Sequence, residues 1–337
     1  MATISDVAKE AEVSVATVSR VLNKQNNVKK ETAERVYKAI EKLSFEPNIL
    51  ARNFRKNESR VILIITPNIT NPYYAHILTG IGDAASELGY SALIFNTANS
   101  IEKEKEGMEM LKKKRADGAI LLASNSESKW LLDYEGKYSI IQCSEYDEEV
   151  KISRVSIDNY KAAKEVVEYL INQGHRRIAT ISSKNNYIST HQRMNGFVDT
   201  LKKHEILMRD SYVEYSSEDY SFHSGKAAAI RLLELKERPT AIFCISDTVA
   251  LGAVAAAGEM GIKVPEELSI TGFDNVDNTT MFHPYITTVS QPCFKLGENA
   301  MKMLFQRINS KTDSHEEMLL DYEFIAREST GPKKNKR

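Results

Sequence analysis

The chain has 337 residues, 27% of them charged, and a formal net charge of −1 at pH 7. This length exceeds a single typical folding core and indicates two or three domains. The 3 cysteines are far apart and lie in or beside apolar runs, so neither a metal cluster nor a disulfide framework is supported. No apolar run approaches the roughly 20 residues of a membrane span, and no apolar signal core opens the sequence. We therefore expect a cytoplasmic protein with no membrane partner, no metal and no cofactor.

The basic residues are concentrated at the N-terminus. Residues 1–60 carry 12 Lys and Arg against 8 Asp and Glu, a net charge of +4, whereas the remainder of the chain has a net charge of −5. A locally basic segment is what contact with nucleic-acid phosphates requires. Because the excess is small, we expect weak binding by one copy of the chain and stronger binding by a dimer.

Residues 3–44 predict three short helices. Thr3 and Asp6 have the spacing of a capping box, which starts the first helix. Ser14 is a good N-cap for a second helix over residues 15–23. A third helix over residues 30–44 supplies the apolar side chains that the first two need to close a core. The pattern is that of a helix-turn-helix, in which the second helix enters the major groove of DNA.

The second predicted helix carries side chains suited to reading bases. Val15 and Ala16 are small enough for close approach, and their methyl groups can contact thymine methyls. Arg20, one turn later, can donate two hydrogen bonds to a guanine. Short polar side chains suited to phosphate contacts lie around them, namely Thr3, Ser14, Thr17, Asn23 and Thr32. The alternative is a three-helix knot whose exposed residues bind nothing.

After residue 60, continuous apolar runs of strand length alternate with amphipathic stretches of helical length. The predicted strands are Val61–Thr66, Ala92–Phe95, Ala119–Ala123, Ser139–Cys143, Ile178–Ile181, Ala241–Ile245 and Leu268–Gly272. The predicted helices are about Pro72–Leu88, Ile101–Arg115, Asn159–Gln173, His191–His204, Ser221–Leu235 and Asp247–Met260. This alternation predicts α/β architecture with parallel sheets, and seven strands favour two doubly wound lobes over one. Ligands of such folds bind beyond the carboxyl ends of the strands.

A G-x-G-x-x-A pattern at Gly80, Gly82 and Ala85 loosely matches a dinucleotide fingerprint. The fingerprint requires its glycines at a strand-to-helix turn. Here they fall inside a helical pattern that begins well after the preceding strand, so we reject a dinucleotide-dependent enzyme.

The string DVAxxAxVSxxTVSRVLN, from Asp6 to Asn23, resembles the lactose-repressor/galactose-repressor (LacI/GalR) family. Within the family, the chain looks most like the cytidine-repressor branch at Arg52-Asn53, residues 57–60, Phe243–Ala253 and Val264–Asp274. The resemblance extends over the whole chain. It implies an N-terminal three-helix domain with a hinge helix, followed by a two-lobed domain like that of periplasmic binding proteins. The implied domains are 1–46 for DNA binding, 47–59 for the hinge, 60–330 for effector binding and dimerisation, and 331–337 for a basic tail. The implied lobes are about 60–158 with 291–321, and about 159–290 with 322–330.

The resemblance also assigns roles to single residues. The family inserts a hinge-helix Leu into the minor groove, and Phe54 stands at that position, where an aromatic wedge can act similarly. Motifs that contact the effector match the aromatic pair after Pro72 and the Arg of an R-x-x-G-F string. The implied effector-binding residues are Tyr73, Tyr74, Arg193, Phe222, Ser246 and Asp274. The alternatives are that one of the two tyrosines packs in its own lobe, that the arginine is a surface residue, and that the loop aromatic only packs.

Together these features predict a dimeric repressor that binds a palindromic operator in double-stranded DNA and responds to a small sugar or nucleoside between its lobes. The dimer surface is expected on the helix that begins at Pro72, near Leu78, Ile81 and Ala85, and around residues 108–112. The alternative for these residues is that they only cover their own sheet. A solute-binding protein without a regulatory role is the alternative function, which the helix-turn-helix and the missing signal peptide disfavour.

Overall fold

The computed structural model describes residues 2–22, 28–45, 58–124, 128–310 and 315–333. The chain divides into two compact units, Met1–Ser59 and Arg60–Arg337. Asn23 and most of the predicted hinge, including Phe54, lie outside the described residues. The described helices include none that is long and apolar enough to span a bilayer.

The first unit contains three helices, α1 (Ile4–Glu10), α2 (Val15–Leu22) and α3 (Lys30–Lys42). The predicted capping box is present, because the Asp6 N–H donates to Thr3 Oγ1 and the Thr3 N–H donates to Asp6 Oδ2. The predicted cap of α2 is present too, since the Thr17 N–H donates to Ser14 Oγ over 3.1 Å. Helix α3 ends two residues earlier than predicted, because Ser44 adopts a left-handed φ of 44°.

The second unit alternates strands with helices, as predicted. Its helices are α4 (Pro72–Glu87), α5 (Ile101–Lys112), α6 (Asn159–Asn172), α7 (Ile188–Lys203), α8 (Phe222–Leu233), α9 (Asp247–Glu259) and α10 (Cys293–Ser310). Its strands are β1 (Val61–Thr66), β2 (Ser91–Asn96), β3 (Gly118–Ala123), β4 (Ile140–Glu145), β5 (Arg154–Ser156), β6 (Ile178–Ser182), β7 (Val213–Tyr215), β8 (Ala241–Cys244), β9 (Ser269–Thr271), β10 (Thr288–Ser290), β11 (Glu317–Leu319) and β12 (Glu323–Ile325). Four strands that the sequence did not predict, namely β7, β10, β11 and β12, have three residues each, too few for a recognisable apolar period.

The strands form two parallel sheets. Lobe 1 has six strands in the order β11-β5-β4-β3-β1-β2, and lobe 2 has four in the order β7-β6-β8-β9. Alternate residues of β1 pack into different clusters, with Ile62 and Ile64 against α4 and α10, and Leu63 and Ile65 against α5. Both faces of the sheet are therefore covered by helices, which confirms the predicted doubly wound architecture.

Helices α4 and α10 of lobe 1 pack with almost no space between their backbones. A Cβ on Gly80 would lie 2.1 Å from the Phe294 carbonyl oxygen, whereas a Cβ on Gly82 would meet nothing within 4 Å. Both glycines lie inside a helix, so Gly80 serves helix packing and not a phosphate turn.

The expectation that Ile81 and Ala85 face a second copy is wrong. Both are fully buried in the core of lobe 1, and so is Met108 of the second predicted segment. These residues cover their own sheet. Their apolar period is the same for a buried helix face and for a subunit interface, so the sequence alone does not distinguish the two.

Candidate nucleic-acid interface and interlobe site

Helix α2 separates its core residues from its candidate base-reading residues. Val18 and Val21 are buried, whereas Val15 is 40% exposed and Ala16 and Arg20 are also exposed. A helix repeat of 3.6 residues produces this division, because positions 18 and 21 lie on one face and positions 16 and 20 on another. The exposed face is free to enter a groove.

The candidate phosphate-binding hydroxyls lie at helix starts. Ser14 Oγ and Thr17 Oγ1 are 2.9 Å apart at the N-terminus of α2, where backbone N–H groups favour an anion. Thr32 lies in the first turn of α3, and Thr3 caps α1. The hydrogen bonds from Thr3 lower the pKa of Asp6. Contact of these groups with phosphate remains a prediction.

In the second unit, Arg193 of α7 is buried at the centre of a polar network. Its Nε donates to Asn159 Oδ1 over 2.9 Å, and its Nη1 donates to the Ile245 carbonyl over 2.7 Å. Nη1 also lies 3.5 Å from Asp274 Oδ1, and the guanidinium carbon lies 3.6 Å from the ring centre of Phe273. The alternative of a surface arginine is wrong, because only 5% of Arg193 is exposed.

Gly196, one turn after Arg193, explains how α7 reaches this position. A Cβ at Gly196 would lie 2.6 Å from the Tyr160 carbonyl oxygen of α6. Only glycine permits this approach, and the two helices then hold Arg193 beside Asn159.

Asp274 follows β9 with an unfavourable backbone φ of 110°. Its N–H donates to the Val289 carbonyl over 2.9 Å, and Gln291 Nε2 donates to its Oδ1 over 2.8 Å. Burial raises the pKa of Asp274 to about 6, and the nearby Arg193 limits the rise. Strained backbone of this kind occurs where surrounding contacts fix a functional side chain.

Asp247 is a second buried carboxylate, and the sequence reading did not assign it a role. Its Oδ1 accepts from Thr288 Oγ1 over 2.6 Å, and its Oδ2 accepts from the Val276 N–H over 2.9 Å. Burial raises its pKa, and the charge of Asp274 raises it further. A Cβ at Gly272 would lie 2.1 Å from Asp247 Oδ1, so the glycine makes room for this carboxylate.

Tyr73 and Tyr74 open α4 at the carboxyl end of β1. Asn71 caps the helix by accepting the Tyr73 N–H, and both tyrosine side chains are buried with their rings 5.2 Å apart. The Tyr73 hydroxyl lies 2.6 Å from Ser144 Oγ and donates to Gln291 Oε1 over 3.2 Å. Through Gln291, Tyr73 joins the network that contains Asp274 and Arg193.

Glu145 makes two hydrogen bonds to the other lobe, both to Ser189. It follows a change of register between β3 and β4, where Ser144 has a φ of 73°, a geometry that re-aims side chains. Its Oε2 accepts the Ser189 N–H over 3.1 Å and its Oε1 accepts Ser189 Oγ over 2.5 Å. Burial raises the pKa of Glu145, and the Ser189 hydrogen bonds and Arg193 oppose the rise. No motif of the sequence indicated the pairing of Glu145 with Ser189.

Two other predicted effector-binding residues, Ser246 and Phe222, make different contacts from those of the Arg193 network. Ser246 is buried, and its Oγ accepts the Val249 N–H at the start of α9, so its hydroxyl acts as an N-cap. Phe222 begins α8, is 37% exposed and packs edge-on against His223. The neighbouring Tyr220 points inward instead, with its hydroxyl 2.6 Å from Thr190 Oγ1.

A small cavity of about 10 Å³ lies at the mouth of the cleft. Asn68, Asn71 and Tyr74 line it from lobe 1, and Tyr187 and Tyr220 line it from lobe 2. This volume is below that of most small-ligand sites, which measure about 300–1,000 Å³. A sugar or nucleoside therefore requires some separation of the lobes. Among the described residues, no group of three or more His, Cys, Asp or Glu side chains is arranged to hold a metal.

Comparison with known families accounts for nearly the whole chain. Residues 3–48 match the model for bacterial regulatory proteins of the lacI family. Residues 59–328 match the model for periplasmic binding proteins and the sugar-binding domain of the LacI family.

Individual relatives agree with these matches over their full length. The HTH-type transcriptional repressor CytR of Escherichia coli K12 is 37% identical over 98% of this chain and 96% of its own. Catabolite control protein A of Priestia megaterium is 34% identical over 97% and 99%. The Lac repressor dimer bound to operator and the anti-inducer ONPF superposes with a TM-score of 0.88, 25% identity and coverage of 98% and 99%. The chain therefore belongs to the LacI family of bacterial regulatory proteins.

Proposed function

We propose that the protein is a dimeric transcriptional repressor whose hold on a palindromic operator changes when a small sugar or nucleoside binds between its lobes. One observation carries the proposal: an exposed base-reading helix and a buried polar cleft occur in the same chain. The names of similar proteins support each part. One is described as a repressor dimer on its operator, one as a regulator in complex with cellobiose, and one as a regulator with bound ribose.

At the DNA, α2 lies in the major groove. Val15 and Ala16 contact base methyls there, and Arg20 reads a guanine. Phe54 acts as a wedge in the minor groove. Phosphate contacts come from Thr3, Ser14, Thr17, Asn23 and Thr32. A site of this kind requires a second copy, because the helix offers few base contacts and the net charge of residues 1–60 is only +4. Since operator DNA is the partner, the protein acts in the cytoplasm.

Strand β2 supports dimerisation through lobe 1. It lies at the edge of the six-stranded sheet, and its Leu93 and Ile94 are 39% and 48% exposed. Apolar side chains on an edge strand attract a further partner unless they are covered. A second copy covers them in the proposed dimer.

At the cleft, the effector binds the residues that join the lobes. Tyr73 and Tyr74 approach it from lobe 1, and Arg193, Phe222, Ser246 and Asp274 approach it from lobe 2. An effector that favours one arrangement of the lobes shifts the population toward that arrangement and so changes the spacing of the two DNA-binding units. The similar proteins are repressors, and we propose no catalytic activity for this one.

The Arg20→Ala variant tests the DNA-binding part. Loss of a bidentate guanine contact is expected to cost about 1–3 kcal/mol of binding free energy and to relax the preference at one base position per half-site. Site selection from a random DNA pool, followed by gel-shift titration at physiological salt, measures both effects.

Arg35→Ala is the matched control, because Arg35 is exposed on α3 outside the reading helix. It is expected to leave the preferred sequence unchanged. Equal losses for Arg20→Ala on all DNA sequences would contradict base reading. If no palindromic site outcompetes random DNA while sugars still bind, a solute-binding protein becomes the better interpretation.

A further inference from the structure

We propose that the ligand of the interlobe cleft is an uncharged molecule rich in hydroxyl groups, and that the cleft rejects its phosphorylated forms. This inference rests on the proposed function, since it takes the cleft as the effector site and narrows the chemistry of the effector. Its basis is an excess of buried carboxylates over buried cations where the lobes meet.

The buried charges of the cleft are mainly negative. Glu145, Asp247 and Asp274 are 4%, 0% and 9% exposed. Arg193 is the only buried Arg or Lys in the described part of the chain. The described part of the cleft therefore holds more buried carboxylates than buried cations, and one of them, Asp274, lies 3.5 Å from the guanidinium.

The mouth of the cleft adds no positive charge. Glu218 and Asp219 line its cavity, and the described lining residues include no Lys, Arg or His. The nearby Lys184 is exposed, with its Nζ 5.0 Å from the ring centre of Tyr215.

The guanidinium is already engaged by the protein. Two of its nitrogens, Nε and Nη1, donate to Asn159 and to the Ile245 carbonyl, and Nη1 lies 3.5 Å from Asp274. A phosphate on Arg193 would have to approach the Asp274 carboxylate as well. The remaining nitrogen, Nη2, can donate to a hydroxyl or carbonyl oxygen of a neutral ligand without this repulsion.

The N-terminus of α7 is the other place where an anion could bind, and Glu145 occupies it. The N-cap residue Tyr187 makes no side-chain capping hydrogen bond within the described structure. The carboxylate of Glu145 instead reaches across from lobe 1 to accept the N–H and hydroxyl of Ser189. The protein thus fills this anion site with its own charge.

Uncharged polar groups complete the cleft. Ser124, directly after β3, is 3% exposed, and Thr66 at the end of β1 is fully buried. In the described structure, Ser124 Oγ and Thr66 Oγ1 have no hydrogen-bond partner. Both follow or end strands at the carboxyl edge of the lobe 1 sheet, where ligands of this fold bind. Hydroxyl groups of a ligand can donate to the carboxylates and exchange hydrogen bonds with these side chains.

The Asp274 carboxylate keeps enough charge to discriminate at neutral pH. Burial raises the pKa of Asp274 to about 6, so this group is mainly ionised at pH 7.5. A phosphate carries about −1.5 to −2 charges near pH 7. Because the cleft is largely shielded from water, we expect a phosphate to weaken binding by about 100-fold or more.

Isothermal titration calorimetry of the full-length protein at pH 7.5 tests the inference with matched pairs. The pairs are ribose and ribose 5-phosphate, glucose and glucose 6-phosphate, cytidine and cytidine monophosphate, and adenosine and adenosine monophosphate. We expect at least one neutral member to bind, with its phosphorylated counterpart about 100-fold weaker or undetectable.

The Glu145→Gln variant shows whether the carboxylate causes the discrimination. It keeps the shape of the side chain and removes the charge, so the ratio of affinities within the binding pair should fall by about tenfold. Asp83→Asn, an exposed site on α4 of the same lobe, is the control and should leave that ratio unchanged. An unchanged ratio for Glu145→Gln would remove this carboxylate from the explanation.

The outcomes separate this inference from the proposed function. If a phosphorylated member binds as tightly as its neutral counterpart, the inference fails and a small-molecule effector still stands. If no compound binds although the same sample binds operator DNA, the effector part of the proposed function fails and the inference fails with it. The comparison of pairs on the unmodified protein holds even if Glu145→Gln does not fold.

Discussion

The two compact units bury different kinds of side chain. Among the described residues of the first unit, the buried apolar side chains are all Val or Ala, namely Val7, Ala8, Ala11, Val18, Val21, Val36 and Ala39. The second unit buries Ile, Leu, Phe and Met side chains in four clusters that cover both faces of its sheets. Small side chains remove little apolar surface from water. We infer that the first unit is the less stable of the two and that it gains more stability from binding its proposed partners, DNA and a second copy of the chain.

The units also differ in the range of their polar contacts. In the first unit, side-chain hydrogen bonds at helix starts join residues three apart, as in Thr3 with Asp6 and Ser14 with Thr17. In the cleft of the second unit they join residues up to 218 positions apart, as in Glu145 with Ser189 and Tyr73 with Gln291. The helix starts of the first unit are therefore set by local rules, whereas the cleft exists only when the whole second unit is folded.

The largest expected effect comes from Arg193→Ala, which removes the one buried guanidinium of the cleft. Asp274 and Asn159 then lose a partner, and the buried carboxylates of Asp274 and Glu145 lose a favourable charge interaction. Breaking a buried charge pair from one side costs about 3–5 kcal/mol of unfolding free energy. Urea unfolding followed by the fluorescence of Trp130, the one tryptophan of the chain, reports on the second unit alone.

Lys161→Ala is the control for this change, since Lys161 is exposed on the adjacent helix α6. It should alter the unfolding free energy by no more than about 0.5 kcal/mol. A loss for Arg193→Ala as small as this would mean that the long-range network contributes little. The contrast between the two units would then rest on apolar packing alone.

The same contrast explains which features the sequence could predict. The capping box and the cap at Ser14 follow from spacing within one helical turn, and the long strands follow from apolar runs. The pairing of Glu145 with Ser189 depends on how two lobes meet, and nothing in either local sequence encodes it. Ser246 shows a different limit of the sequence. A serine directly before a helix can cap that helix or contact a ligand, and the local sequence is the same in both cases. The burial of Ile81 and Ala85 required knowledge of where α10 packs.

A smaller effect, dependent on pH, is expected from Glu104→Gln on α5. Glu104 is 8% exposed, and burial raises its pKa from 4.5 to about 7. Between these values the unfolded chain loses the proton while the native protein keeps it, so native stability falls as pH rises and the full cost is present above about pH 7. The variant should therefore be more stable than the unmodified protein by about 2–3 kcal/mol at pH 8 and nearly equal at pH 4.5.

Urea unfolding at the two pH values, again followed through Trp130, measures this difference. Glu106→Gln removes an exposed carboxylate two residues away on the same helix and should be nearly neutral at both. A gain for Glu104→Gln that is the same at pH 4.5 and pH 8 would show that side-chain packing, and not the buried charge, causes it.

The smallest expected effect is in the first unit, where Thr3→Ala removes the capping box of α1. The Asp6 N–H and the Asp6 carboxylate both lose the Thr3 hydroxyl, which costs about 1 kcal/mol. Hydrogen exchange of the full-length protein should show roughly fivefold faster exchange for amides of α1 and α2, and no change in the second unit. Thr32→Ala is the control, because it places a better helix former inside α3 and should not accelerate exchange. Faster exchange in both units after Thr3→Ala would contradict the independent stability of the two units. The loss of a local cap can destabilise only the unit whose core the capped helix supports.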